Sequence, residues 1–137
     1  MKKIKLIVGG MICAGYLLGS VLSRASDTIN SSIVHFEKNS NGTIIKSTLI
    51  GNDVDDYTLA AKAGQRMHIS MKSQRPHPWF NVITPDNNMI YNGSMSGDIF
   101  EQRLAVSGNY TVRVYHMGGT GDESKSSAYA LTFKITD

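Results

Sequence analysis

Near its C-terminus the chain reads Tyr129-Ala130-Leu131-Thr132-Phe133-Lys134-Ile135-Thr136, with a large apolar side chain at every second position. Successive side chains of a β-strand point to opposite faces, so this period of two predicts a strand with one face in the core and one in solvent. Residues 110–115 repeat the pattern, with Tyr110, Val112 and Val114 on one side. The residues of the last strand that we place in the core are Tyr129, Leu131, Phe133 and Ile135.

Shorter runs of the same kind recur along the chain, separated by turn-forming segments such as Asn41-Gly42 and Ser107-Gly108-Asn109. These runs are Ile33–Lys38, Thr43–Ile50, Tyr57–Lys62, Arg66–Lys72, Trp79–Thr84, Met89–Tyr91 and Ile99–Val106. The spacing predicts an all-β fold, an antiparallel β-sandwich of about eight short strands.

The N-terminus has the layout of a secretory signal peptide. A basic start with Lys2, Lys3 and Lys5 precedes an apolar run from Leu6 to Leu22, and small residues follow it. We expect residues 1–25 to be a signal peptide and residues 26–137 to form one β-sandwich domain, periplasmic or secreted. The alternative is an uncleaved anchor, because the apolar run is at the short limit for crossing a bilayer.

Composition excludes several classes of protein. The chain has 137 residues, 14 of them basic and 11 acidic, but four of the basic ones lie in the first 25 residues, so the remainder is close to neutral. Such a balance argues against a nucleic-acid partner. The single cysteine, Cys13, lies within the apolar run, so the exported part has no disulfide and must be held together by its core.

No motif indicates catalysis or a cofactor. The chain has no Gly-x-Ser-x-Gly elbow and no histidine pair with zinc spacing, and His35 and His68 alternate with apolar residues and so face solvent. We interpret Asp53-Val54-Asp55-Asp56 as a solvated acidic turn, with a loosely held cation as the alternative. Trp79, the only tryptophan, is expected in the core rather than on a sugar-stacking surface. We predict a protein that is not an enzyme and needs no cofactor or metal.

The segment Met117–Ser127 breaks the strand rhythm with eleven residues of glycine, serine and charge between two of the clearest strands. Loops of this length in a small domain are usually functional or mobile. We therefore expect a binding module that recognises its partner through loops.

The order of several short motifs resembles that of the periplasmic inhibitors of g-type (goose-type) lysozyme and their uncharacterised relatives. These motifs are Val34-His35-Phe36-Glu37-Lys38, Asp55-Asp56-Tyr57, Ala61-Lys62-Ala63-Gly64-Gln65, Phe80-Asn81-Val82, Ser107-Gly108-Asn109-Tyr110-Thr111-Val112-Arg113-Val114-Tyr115 and Ala128-Tyr129-Ala130-Leu131. Some of them also suit other secreted sandwiches, including pre-peptidase C-terminal domains.

The resemblance implies an exported β-sandwich that blocks the active-site cleft of a g-type lysozyme or another cell-wall hydrolase. Family members carry arginines in the loop after the strand that matches residues 110–115, where this chain has Gly118 and Asp122. The partner-binding residues expected from the resemblance and the loop are Asp55, Asp56, Tyr57, His116, Met117, Gly118, Gly119, Thr120, Gly121, Asp122 and Lys125. The alternative is a cell-wall or envelope binding module, similar to a pre-peptidase C-terminal domain, without inhibitory activity.

Overall fold

The computed structural model describes residues 28–117 and 125–137. The predicted signal peptide, residues 1–25, lies outside the described residues, and so do loop residues 118–124. The elements are β1 (Ile29–Ile33), β2 (Gly42–Ile50), β3 (Val54–Ala61), β4 (Arg66–Ser73), β5 (Trp79–Ile83), β6 (Met89–Asn92), the one-turn helix α1 (Gly93–Ser96), β7 (Ile99–Arg103), β8 (Gly108–Tyr115) and β9 (Ser126–Thr136). In neither described range is there a helix with the length and apolar character needed to cross a membrane.

The strands form two sheets. The first sheet has the order β2-β9-β4-β7 and the second the order β1-β3-β8-β5-β6. Neighbouring strands pair antiparallel, except for β1 and β3, which are parallel. The predicted all-β sandwich is therefore confirmed, with one parallel pair at the edge of the second sheet.

The core lies between the sheets, and the two clearest sequence patterns supply the middle of each. In β9 the side chains of Tyr129, Leu131, Phe133 and Ile135 are all buried, as their alternation predicts. In β8 the buried residues are Tyr110, Val112 and Val114. Contact between the sheets includes the rings of Tyr57 and Phe133, whose centroids are 5.9 Å apart. Burial of this apolar surface is the main force that holds the two sheets together.

The first strand is displaced from its predicted position. We expected it at Ile33–Lys38, but β1 ends at Ile33. The last backbone bond to β3 runs from Val34 N–H to Thr58 O at 2.8 Å, and the chain then turns, with Ser40 N–H donating to Glu37 O at 2.8 Å. Val34 is buried, and Phe36 packs against the core without belonging to a strand. The alternation here therefore reports packing against the core rather than pairing within a sheet.

Candidate functional site

Four connections meet at one end of the sandwich, which we call the loop-bearing end. They are the turn after β2 (51–53), the proline segment after β4 (74–78), α1 with the residues before β7 (93–98), and the two described ends of the long loop after β8 (116–117 and 125). A backbone bond joins two of these connections, with Gly51 N–H donating to Lys125 O at 2.8 Å. The long loop predicted to bind a partner therefore emerges from a cluster of connections rather than alone.

His116 ties the base of the long loop to its neighbours. Its Nδ1 lies 2.8 Å from Gly51 O, and because a carbonyl oxygen only accepts, Nδ1 carries the hydrogen. Its Nε2 lies 2.7 Å from Ser127 Oγ, and the Ser127 hydroxyl in turn donates to Pro76 O. Both ring nitrogens of His116 are thus used within the molecule, and three connections are held in a fixed arrangement.

Asp55, Asp56 and Tyr57 are divided between two faces of β3. Asp55 is 6% exposed and Tyr57 is 5% exposed, and both side chains point into the sandwich. The expectation of a solvated acidic turn is wrong, because Val54, Asp55 and Asp56 belong to β3 and their side chains alternate like those of any strand. Of the three predicted residues in this motif, Asp56 is the one on the outer face.

The buried Asp55 is held by hydrogen bonds from two strands that are distant from it in sequence. Tyr129 OH donates to its Oδ2 at 2.5 Å, and Asn30 Nδ2 donates to its Oδ1 at 3.0 Å. Tyr57 OH lies 2.5 Å from Tyr129 OH and completes the cluster. A buried carboxyl group is tolerated only with such partners, so these contacts fix the position of β3 under the loop-bearing end.

Burial shifts the titration of this cluster. Loss of hydration raises the pKa of Asp55 above its ordinary value, while hydrogen bonds from Tyr129 and Asn30 oppose the rise. Burial likewise raises the pKa of Tyr57 to about 12, and that of Tyr129 is also raised. The two phenols therefore stay neutral donors at physiological pH.

Asp56 makes a two-point ion pair with Arg113 of β8. Arg113 Nε is 2.8 Å from Asp56 Oδ1, and its second contact, Nη2 to Oδ2, is 2.9 Å. The hydrogen bond to Asp56 raises the pKa of Arg113 above its ordinary value. Bidentate pairs of this kind have a defined geometry, so Arg113 is a fixed cation near the loop rather than a free one.

The remaining predicted partner-binding residues lie on or beside the long loop. Met117 and Lys125 are exposed at its two ends. Gly118, Gly119, Thr120, Gly121 and Asp122 lie outside the described residues. In the described part of the chain, the structure brings no group of three His, Cys, Asp or Glu side chains together as a metal site.

The structure also brings together three residues that sequence reasoning did not connect. Ser73 Oγ lies 3.2 Å from His77 Nδ1, and His77 Nε2 lies 3.0 Å from Asp98 Oδ1. The line Ser73-His77-Asp98 links β4, the proline segment and the residues before β7. Asp98 is 21 positions from His77, and no motif or period signals that pairing. We infer that these two hydrogen bonds hold two connections of the loop-bearing end together.

Trp79 also differs from its expectation. It is half-buried at the start of β5 rather than in the core. Its ring contacts that of His77, with centroids 4.4 Å apart and planes at 70°. The tryptophan therefore lies at the border of the loop-bearing end.

Comparison with known proteins agrees with this architecture. No family model matches the chain. It is 27% identical over 121 residues to the inhibitor of g-type lysozyme from Escherichia coli (strain K12), and the match covers 87% of this chain and 89% of that protein.

Solved structures give the same result. The crystal structure of a periplasmic inhibitor of g-type lysozyme from Aeromonas hydrophila has a TM-score of 0.74 and 27% identity, covering 81% of this chain and all of that one. The corresponding inhibitor from Salmonella Typhimurium, at 22% identity over 78% of this chain and 98% of its own, has a TM-score of 0.62. A pre-peptidase C-terminal domain of a collagenase from Bacillus anthracis shares the fold, with a TM-score of 0.55, 21% identity, and coverage of 82% of this chain and all of that one. The resemblance inferred from the order of the motifs is confirmed, and the relatives from Escherichia coli and Aeromonas hydrophila are inhibitors of g-type lysozyme.

Proposed function

We propose that this relative of the inhibitors of g-type lysozyme is itself such an inhibitor, which binds the enzyme through its loop-bearing end and blocks the active-site cleft. The observation that carries the proposal is the match to a lysozyme inhibitor along 89% of that protein's length. The match covers 87% of this chain, so it does not rest on one motif.

The arrangement of the loop base supports a plug. His116 and the Gly51–Lys125 backbone bond fix both ends of the loop before any partner arrives. A segment that is already ordered at its base loses less conformational entropy on binding, which favours affinity. We propose that residues 117–125 make the contacts, with Asp56 on the neighbouring outer face, while Asp55 and Tyr57 support β3 from the interior. Ser126 and Ser127, which we expected in the loop, belong to β9, and Ser127 is buried.

The charge of the loop determines how strongly the protein inhibits the enzyme. Glycoside hydrolases cut with a pair of carboxyl groups, so a cleft of this class favours a cationic plug. Lys125 is the exposed cation at the described base of the loop, whereas the sequence places Asp122 within it. We therefore propose a weaker inhibitor than one with arginines at the positions of Gly118 and Asp122.

The proposal includes export to the periplasm. The Aeromonas and Salmonella relatives are periplasmic inhibitors, and the N-terminal layout of this chain suits export. We propose that residues 1–25 are removed as a signal peptide and that residues 26–137 act as one domain. The protein then acts by binding and not by catalysis.

A second candidate is an envelope-binding module without inhibitory activity. The shared fold with a pre-peptidase C-terminal domain is compatible with it, and so is the absence of arginine from residues 117–127. The two candidates differ in whether a lysozyme loses activity.

The deciding experiment measures the turnover of peptidoglycan by a g-type lysozyme with and without purified residues 26–137. We expect the rate to fall in a saturable way as the protein is added. A variant with residues 118–124 replaced by two glycines is expected to lose inhibition, and Lys72→Ala, on the outer face of the first sheet, is the matched control that keeps it. Unchanged turnover at micromolar protein would favour the second candidate.

A further inference from the structure

The second sheet carries a row of polar residues in register on the side away from the core, which we call the polar strip. One of its members, Asn81, is buried and accepts from Gly93 N–H at 3.3 Å. Its members are neighbours in register across all five strands: Ser31 opposite Asp56, Asp56 opposite Arg113, Arg113 opposite Asn81, and Asn81 opposite Asn92. With strands roughly 4.8 Å apart, the strip is about 19 Å long and runs across the strands. Asp56 also belongs to the surface proposed to contact the lysozyme, whereas Ser31, Arg113, Asn81 and Asn92 do not.

An aromatic pair borders the strip on the side of the loop-bearing end. Trp79 and Tyr115 are partners in register on β5 and β8, and both are half-buried. Tyr115 OH donates to Asn81 Oδ1 at 2.9 Å, so Asn81, which is 8% exposed, positions the tyrosine ring. The edge contact of His77 orients the tryptophan in the same way. The two rings are therefore held in place without a ligand.

The charges of the strip indicate a neutral ligand. The charged members, Asp56 and Arg113, neutralise each other in the bidentate pair. Their side chains remain 13% and 40% exposed, and each carboxylate oxygen has a further lone pair for a ligand N–H or O–H. A charged polymer would find no excess of opposite charge here.

A sugar polymer fits this combination better than a peptide surface does. Aromatic rings have a negative face that attracts the weakly positive C–H groups of a pyranose. Hydrogen-bond donors and acceptors fixed beside the rings orient a sugar by bonding to its hydroxyl and acetamido groups. An acetamido group in particular offers one N–H and one C=O, which match the carboxylate of Asp56 and the guanidinium of Arg113.

We propose that the polar strip and the aromatic pair bind the N-acetylated glycan strands of the bacterial cell wall. The choice of this source rests on the export included in the proposed function. Trp79 and Tyr115 stack on sugar rings, Arg113 and Asp56 contact an acetamido group, and Asn81 acts by positioning Tyr115. Such binding keeps an inhibitor on the polymer that a lysozyme attacks.

The fluorescence of Trp79 provides a direct test, because it is the only tryptophan of the chain. Residues 26–137 are titrated with the β-1,4-linked tetramer of N-acetylglucosamine in the absence of lysozyme. We expect a saturable blue shift, a dissociation constant at least tenfold weaker in Tyr115→Ala, and no change in the exposed control Lys72→Ala. Arg113→Gln provides a second weakened variant if Tyr115→Ala does not fold by circular dichroism.

Co-sedimentation with purified peptidoglycan sacculi tests the source of the glycan. We expect the wild-type protein to sediment with sacculi and Trp79→Ala to remain in solution. An emission spectrum that does not change at high tetramer concentration, or sedimentation that survives both Trp79→Ala and Tyr115→Ala, would overturn the proposal. Because no lysozyme is present, failure here is distinguishable from failure of the proposed inhibition.

Discussion

Both ends of the sandwich are closed by backbone and side-chain hydrogen bonds, but the side chains are used differently. At the end away from the long loop, the turn after β3 and the segment after β7 bond through their backbones, with Gly64 N–H to Leu104 O at 2.8 Å and Leu104 N–H to Gln65 O at 2.7 Å. At the loop-bearing end, the side chains of His116 and Ser127 join three connections. At the far end side chains also bond to the backbone, with Ser107 Oγ accepting from Ala63 N–H at 2.8 Å. The loop-bearing end differs because two histidines, His116 and His77, connect side chain to side chain, through Ser127, Ser73 and Asp98.

The interior of the sandwich also differs between its middle and the loop-bearing end. The middle of the core is apolar, with Leu131 and Phe133 fully buried. Under the loop-bearing end the core contains the Asp55 carboxyl group with the hydroxyls of Tyr57 and Tyr129. A recognition site needs residues held in place by specific contacts, and a polar cluster provides them at some cost in stability. The fold thus depends on the apolar middle and the proposed function on the polar end.

The largest effect is expected in the apolar middle. Leu131→Ala removes a fully buried side chain between two neighbouring strands, and we expect it to lower the free energy of unfolding by about 2–5 kcal/mol. Urea unfolding followed by circular dichroism measures this loss. A loss near zero would mean that β9 does not organise the core.

A smaller loss is expected from Tyr129→Phe. The change removes the hydroxyl that donates to Asp55 and leaves a buried oxygen without that donor, for an expected loss of about 1–3 kcal/mol in the same measurement. The control at the other end is Tyr110→Phe, which removes a bond from the Tyr110 hydroxyl to Val106 O at 2.6 Å, on a part-buried carbonyl. Its expected loss is about 0.5–1.5 kcal/mol. Equal losses would argue that the polar cluster under the loop-bearing end has no special role.

Substitutions that add positive charge to the long loop test the proposed function of the loop-bearing end. Replacing both Gly118 and Asp122 with Arg gives the loop cations that would face the carboxyl groups of the cleft, and we expect tighter inhibition. Two exposed ion pairs contribute roughly 0.4–2 kcal/mol together, or about a twofold to thirtyfold lower inhibition constant. The reading is the inhibition constant in the peptidoglycan assay, with urea stability as the control. A double variant that folds normally and inhibits no better would argue against the loop as the plug.

The smallest expected effect is a pH dependence from Asp55. Its pKa is raised by burial, so the folded state binds this proton more tightly than the unfolded state does. The free energy of unfolding therefore decreases as pH rises from the unfolded-state pKa, about 3.9, to the raised folded value, and is constant in this respect above it. Asp55→Asn removes that decrease. Urea unfolding of both proteins between about pH 3 and about pH 7 measures it, and parallel curves would contradict the assignment.

Local patterns were sufficient to predict the strands that pair on both sides. β9 lies between β2 and β4, and β8 lies between β3 and β5, so every second side chain of each is buried and the period is clear. β1 is an edge strand with exposed Ile29 and Ile33, and its position depends on parallel pairing with β3. The local sequence does not indicate that pairing, so the strand was predicted at residues 33–38 instead of 29–33.

The candidate site was harder to predict because its contacts join distant parts of the chain. Asp55 meets Tyr129 across 74 positions and Asn30 across 25. An acidic residue is normally exposed, because burial removes the hydration of its carboxyl group. Here the hydrogen bonds from these partners offset that loss. The motif Asp55-Asp56-Tyr57 was found through a resemblance, but the division of its side chains between interior and surface follows from the register of β3.

Hydrogen–deuterium exchange of residues 26–137, free and bound to a g-type lysozyme, tests most directly whether the loop-bearing end contacts the enzyme. We predict that the complex slows exchange at Asn52, Met117 and Lys125. Exchange at Lys62 and Ala63, at the other end of the sandwich, is predicted to stay the same. Protection confined to the far end, or equal exchange throughout in a verified complex, would contradict the account.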